Sequence, residues 1–189
     1  MLDEDILPVT RRMRLRPFRL EDVDALWAIQ GDPVTMRWYP HAFSREESET
    51  WIRRNLERYE RDGHGHWAAV LLEGGRLAGS CGLIDQQVDG VTEIEAGWIF
   101  DRALWNRGLA TEAGSACRAL AFGPMGRSRL ISLVRPENVA SCRVAEKLGM
   151  TVEKETMHAD LRHFVYAMTP ADVPIRVSRR RTRSARRRP

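Results

Sequence analysis

Hydrophobic positions along the chain change period several times, and each change marks a structural element. RRMRLRPF (11–18) alternates imperfectly, with Met13, Leu15 and Pro17 set against Arg14, Arg16 and Phe18, which predicts a strand that ends or turns into an edge at Pro17. LEDVDALWAIQGD (20–32) then shows the helical period through Leu20, Val23, Leu26, Trp27 and Ile29, with Gly31 as its stop. A loop with two prolines and three aromatics, DPVTMRWYPHAF, leads to Ser44 and Glu47, spaced as a capping box that satisfies two backbone donors at a helix start. The helix runs through WIRRNLERYERD (51–62), with Trp51, Ile52, Leu56 and Tyr59 on one face. From His66 the period drops to two. HWAAVLLE (66–73), the Gly74-Gly75 pair and RLAGSCGLID (76–85) read as a hairpin, because two glycines can adopt the positive φ angles of a tight turn.

The second half continues in the same way. TEIEAGWIF (92–100) reads as a central strand. Gly108 opens a helix whose inner face is Leu109, Ala113, Ala116, Cys117 and Leu120, small enough to lie close on a sheet. RLISLVRP (129–136) is a short strand of buried type, and Pro136-Glu137-Asn138 turns it into the helix VASCRVAEKLG, ended by Gly149. TVEKETMHA (151–159) and RHFVYAM (162–168) form a last strand pair. No internal repeat interrupts this order.

Composition narrows the class of protein. A chain of 189 residues with 43% hydrophobic and 30% charged residues fits one globular domain. No run approaches the ~18 apolar residues of a membrane span, and the acidic start MLDEDILPVT lacks the apolar run of a secretory signal, so the expectation is a cytoplasmic protein with no membrane contact. Cys81, Cys117 and Cys142 lie far apart without CxxC or matching histidine spacing, which excludes a recognisable zinc site and argues against a disulfide framework. The net charge of +4 is unevenly distributed. Residues 176–189 hold eight arginines and no acid, so residues 1–175 carry a net −4. The basic character therefore belongs to a tail, expected to be disordered, that could touch RNA or the ribosome weakly by counterion release.

Candidate chemistry centres on two segments. Asn106 to Thr111 place a glycine and a small residue where a loop enters a helix, so several backbone N–H groups and the helix dipole converge on one point and form an anion site. Arg107 adds a cationic side chain. Alone, a glycine before a helix is an ordinary turn. The second segment, RPENVASCRVAEKLGM, puts Asn138 at a helix N-cap and Ser141 at the mouth of the first turn.

Together these segments resemble the GNAT superfamily of acyl-coenzyme A-dependent N-acetyltransferases. The superfamily's Q/R-x-x-G-x-G/A loop stands here as Trp105-Asn106-Arg107-Gly108-Leu109-Ala110. The leading tryptophan, the following T-E-A, the N-x-x-S-x-x-x-x-E-K-L-G-M stretch from Asn138 to Met150 and the opening LRPFRLEDVDALWAIQGDP are similar to the ribosomal-protein-alanine N-acetyltransferase (RimJ/RimL-like) branch. The resemblance covers residues 12–168, leaving 1–11 as an N-terminal extension and 169–189 as the tail. It implies an α+β fold of α/β/α layers. About four helices would flank a mixed, mostly antiparallel sheet of about seven strands, splayed between its fourth and fifth strands.

The resemblance also implies roles for residues. Acetyl-CoA would be the acyl donor, without metal. The backbone of Trp98, Ile99 and Phe100 would pair with the pantetheine arm as an added strand does. Amides of Arg107, Gly108, Leu109 and Ala110, with Thr111, would hold the pyrophosphate, and Asn138 and Ser141 would face the cofactor near the thioester. Many members carry a tyrosine four residues after the Ser141 position to protonate the departing thiolate. Here it is Ala145, which makes Ser141 the candidate thiolate stabiliser. The amine must lose a proton to become a nucleophile, and Glu95, on the same strand face as Glu93 and nearer the bend at Gly97, is the candidate acceptor.

Trp38, Tyr39 and His41 lie in the loop that borders the acceptor site in this branch. His64 and His66 read as surface histidines, and His158 and His163 as ordinary ones that bracket a turn within reach of the acceptor pocket. A Cys142 acyl-enzyme is disfavoured, since amines attack the thioester directly in this superfamily. The leading expectation is acetyl transfer to a primary amine, on a protein N-terminus or a small molecule, by a monomer or homodimer. A non-catalytic acyl-CoA sensor and an RNA- or ribosome-associated protein acting through the arginine tail stand as alternatives.

Overall fold

In a computed structural model that describes residues 7–173, the strands form one seven-stranded sheet in the order β1-β2-β3-β4-β5-β7-β6. They are β1 (Met13–Arg16), β2 (His66–Leu71), β3 (Leu77–Val88), β4 (Val91–Phe100), β5 (Leu130–Val134), β6 (Thr151–His158) and β7 (Leu161–Met168). The helices are α1 (Val23–Gln30), α2 (Arg45–Asp62), α3 (Leu109–Phe122) and α4 (Val139–Lys147). All neighbouring strands are antiparallel except β4 and β5, which are parallel. The expected α+β architecture is the one observed.

Local signals account for much of this. The Ser44 hydroxyl accepts the Glu47 amide at 3.2 Å while the Glu47 carboxylate takes the Ser44 amide at 2.7 Å, closing the capping box that starts α2. Gly74 and Gly75 both have positive φ in the β2–β3 turn.

The first helix departs from expectation. Leu20–Asp22 is a single 3-10 turn, and α1 begins only at Val23. The Asp22 carboxylate organises that turn by accepting the Arg19 amide at 2.8 Å and both ends of the Arg16 guanidinium at 2.7 Å. Leu20 and Trp27 are consequently 41% and 43% exposed, not core. The Trp27 indole instead folds over Gly31, where an added Cβ would sit 2.7 Å from its Nε1.

Side-chain alternation divides the core between two helical layers. Ile94, Ala96 and Phe100 of β4 join Leu109, Ala113 and Cys117 of α3. Ile99 joins Leu26 and Ile29 of α1 and Ile52 of α2 on the other face. Glu95 and Gly97, at even spacing from Ile99, therefore face the α1/α2 layer.

The sheet divides in its middle. β3 and β4 pair continuously from Gly79–Phe100 to Val88–Val91, and β5 and β7 pair from Leu130–Met168 to Val134–Phe164. β4 and β5 meet at one position only, Glu95 opposite Ile131. Two ladders joined at one residue pair must diverge beyond it, and they open the gap in which the site lies.

Residues ahead of β1 also contribute to packing. Leu7 is buried, and the Pro8 carbonyl accepts the Leu15 amide at 3.1 Å. Val173 packs against the core. The expectations for residues 1–6 and for the arginine tail at 176–189 lie outside the described residues. Among the described residues no helix is long and apolar enough to cross a membrane.

Candidate active site

One wall of the gap is the N-terminus of α3. Asn106 and Gly108 both have left-handed φ, +60° and +76°, on either side of Arg107. Gly108 is the N-cap and offers no side chain to the first turn, so the α3 amides there lack a capping acceptor. A Cβ on Gly108 would meet only Arg12 Nη2, at 3.7 Å, so the glycine is required by its backbone angle, not by crowding. The preceding loop is anchored by Trp105, whose indole N–H donates to the Phe100 carbonyl at 2.8 Å.

Glu112 and the Arg107 carbonyl brace this loop from the N-terminal segment. Glu112 accepts from the Thr10 hydroxyl at 2.7 Å, the Arg12 amide at 2.8 Å and the Arg12 Nε at 2.7 Å. Burial opposes its charge, but these bonds outweigh burial and hold the carboxyl below its ordinary value. Arg12 also donates to the Arg107 carbonyl at 2.8 Å, tying the N-terminal segment to the loop.

The second wall is the start of α4. Asn138 Oδ1 accepts the Ser141 amide at 3.2 Å, the expected N-cap, and leaves the Ser141 hydroxyl free of that duty. Ala145 is fully buried in the core, so the position that would carry a tyrosine presents no hydroxyl. Cys142 is buried as well and lies outside the cleft lining, 3.9 Å from the Arg135 carbonyl.

Between the walls, Glu95 spans the splay. Its Oε1 accepts the Leu133 amide of β5 at 3.3 Å, just past the single β4–β5 pairing. Burial pushes the carboxyl up to about 7, against smaller lowering by the Leu133 amide and the charge of Arg58. Among the described residues no ion pair includes Glu95. Glu93 differs: Arg129 holds it at 3.0 Å and bridges to Glu153 at 2.8 Å, a structural network.

A cleft of about 610 Å³ runs through the gap. Its lining brings together Glu95, Trp98, Ile99, Phe100, Gly108, Leu109, Ala110, Thr111, Asn138 and Ser141, with Trp38 and Tyr39 from the α1–α2 loop. Two expected residues are not part of the lining. Arg107 contributes its carbonyl to Arg12. His41 is exposed and bonds Glu47 at 2.8 Å, reinforcing the start of α2. Tyr39 is 46% exposed as a residue, but desolvation of its hydroxyl, and then the charge of Glu95, push it up to about 12. His158 and His163 also line the cleft, their rings edge-on at 5.8 Å.

The two histidines read as surface residues are not. His64 is 3% exposed, with Nδ1 3.0 Å from the Leu83 carbonyl. His66 is half-buried and lines the cleft. Their segment is covered by α2: Asn55 Oδ1 accepts the His66 amide at 2.9 Å, and the Tyr59 hydroxyl donates to the His66 carbonyl. The His66 ring rests edge-on to Trp51 at 5.4 Å and fills the space where Gly97 has no Cβ, 2.7 Å from that position. Burial pulls it down to about 4, so the imidazole is neutral at physiological pH. The only sequence trace of this contact is a pair of glycines, Gly82 and Gly97, which oppose each other across β3 and β4, with His66 opposite Gly82 on β2.

A sheet parted at one residue pair, with helix N-termini on both walls of the gap and a half-buried carboxylate between them, is the frame expected of the acyl transferases that the sequence motifs resemble. The model of the acetyltransferase (GNAT) domain matches residues 12–151, and the chain belongs to this family of acetyltransferases. The chain is 33% identical to the protein YkkB of Bacillus subtilis (strain 168) over 147 residues, 77% of this chain and 86% of YkkB. An acetyltransferase (GNAT family) from Bacillus anthracis superposes with a TM-score of 0.74 at 26% identity, covering 86% of this chain and 98% of that one. Mycobacterium smegmatis RimJ, solved with a CoA disulfide, shares the fold with a TM-score of 0.69 at 19% identity and 89% coverage of both chains.

Proposed function

We propose that the protein moves an acetyl group from acetyl-CoA to a primary amine, by direct attack of the amine nitrogen on the thioester carbonyl. The observation that carries this reading is Glu95: a carboxylate without an ion pair among the described residues, poised near neutral pH, at the one point where the sheet parts. The residues present fit the donor. The uncapped first turn of α3 suits a pyrophosphate, and the β4 edge beyond Glu95, which has no β5 partner, suits the amide-bearing pantetheine arm. The Asp101 amide donates to the Ala78 carbonyl, so by the antiparallel register the backbone of Ile99 pairs with Ser80 of β3. With the Phe100 carbonyl engaged by Trp105, the Trp98 amide and carbonyl and the Phe100 amide are left to pair with the pantetheine arm.

Acetyl-CoA supplies an activated acyl carbon with a thiolate leaving group. Glu95 takes the proton of the incoming ammonium, directly or through water, so that the nitrogen lone pair can form the new C–N bond. The Ser141 hydroxyl, free of the capping role, donates toward the sulfur as the C–S bond breaks. Tyr39, neutral across the working pH range, supplies a further polar group at the acceptor mouth.

Free-thiol release from acetyl-CoA tests this reading, with a primary amine compared against the same amine blocked as its acetamide. Thiol released with the free amine alone supports transfer. CoA binding by calorimetry with no amine-dependent thiol release would replace the transferase with a sensor.

A further inference from the structure

The composition of the cleft restricts what can enter it beside the donor. Among the described lining residues Glu95 is the one carboxylate, whereas Arg37 and Arg135 line the same cleft, Arg135 paired with Glu137 at 3.4 Å, and Arg143 and Lys147 of α4 line it on the side of the proposed donor. The wall on the α1/α2 side is aromatic. Tyr39 and Phe43 meet edge-on at 6.3 Å, and Trp51 meets His66 edge-on at 5.4 Å. His66 adds a neutral imidazole, not a charge. We infer that the acceptor is a compact monoamine whose remaining body is uncharged and apolar, of the arylalkylamine type, and that polyamines and aminoglycosides are excluded. This inference rests on the amine-transfer reading above.

The physical argument is one of charge and desolvation. A single ammonium is matched by Glu95 and by the negative faces of the aromatic rings. A second or third ammonium would meet no further carboxylate among the described lining residues, in a cleft that already carries cationic side chains, and would lose water without gaining a partner. An apolar body, by contrast, covers Tyr39, Phe43 and Trp51 and gains by leaving water. Ammonium groups taken out of water need acidic partners, and the described lining has one carboxylate.

The test compares kcat/KM for 2-phenylethylamine, tryptamine, spermidine, kanamycin and an alanine-initiated hexapeptide, at saturating acetyl-CoA and one pH. The two arylalkylamines should exceed spermidine and kanamycin by at least tenfold. Tyr39→Ala, a change at a loop position 46% exposed, should raise KM for 2-phenylethylamine several-fold while KM for acetyl-CoA is unchanged. Spermidine, kanamycin or the peptide emerging as the best acceptor would overturn the monoamine inference and leave amine transfer standing, as would an unmoved KM for 2-phenylethylamine in Tyr39→Ala. No thiol release with any of the five, despite CoA binding, would overturn both.

Discussion

Glu95→Gln isolates the charge of the candidate base, because glutamine keeps a side-chain oxygen able to accept the Leu133 amide, now at 3.3 Å. An alkylammonium with pKa ~10.4 is neutral in only about one molecule in 2,500 at pH 7. A base that makes the protonated majority usable is thus worth up to about 10³-fold there, within the ~10²–10⁴ range of positioned acid–base groups. The wild-type rate should bend near pH 7, where Glu95 ionises, and stay level above it. The variant should instead gain about tenfold per pH unit and approach wild type near pH 10. Steady-state thiol release from pH 6 to 10 reads this directly. Stability supplies an independent check. A carboxyl raised from 4.5 to about 7 by burial binds its proton more tightly when folded, so wild type loses stability as pH rises from about 4.5 through about 7. The ceiling is about 3 kcal/mol, and partial exposure brings it to about 1–2 kcal/mol. Glu95→Gln should therefore be more resistant to urea than wild type at pH 8 and nearly equal at pH 4.5. Parallel pH–rate profiles for the two proteins would show that Glu95 only bridges the splay and does not serve as the base.

Ser141→Ala should lower kcat by tenfold or more with CoA affinity held within about twofold, since a thiolate donor acts in the transition state; equal kcat would remove the hydroxyl from the reaction. The α4 helix should persist, because Asn138 caps the Ser141 amide, not its side chain. Gly108→Trp should abolish CoA binding by calorimetry and cost about 1–2 kcal/mol of stability, because φ of +76° disfavours any side chain; retained CoA affinity would contradict the placement of the pyrophosphate. Deleting residues 176–189 should leave turnover on a small amine unchanged, since Glu95, Gly108 and Ser141, which carry the proposed chemistry, line one cleft within the domain that matches the family. Loss of that activity would make the tail part of the site.

Much of this protein is legible from local chemistry. The Ser44–Glu47 box, the Gly74-Gly75 turn, the period change at His66 and the Asn138 cap each depend on residues within a few positions of one another, and each appears in the structure as expected. The proposed cofactor half of the cleft belongs to this group, because backbone amides at a helix start are placed by the loop that precedes them. The acceptor half does not. His66 reaches the cleft because β2, β3 and β4 align it with Gly82 and Gly97, and because Asn55 and Tyr59 of α2 hold its backbone. The bracing of the α3 loop by Arg12 through Glu112 joins residues 100 positions apart. Glu93 and Glu95 are equivalent in periodicity, and only the position of Arg129 and the opening between β4 and β5 separate an ion-paired strut from a carboxyl held near neutrality. Helix starts, turns and strand periods are short-range properties of the chain; strand register and the desolvation of a charge depend on residues brought together only by folding, so the tertiary structure decides them.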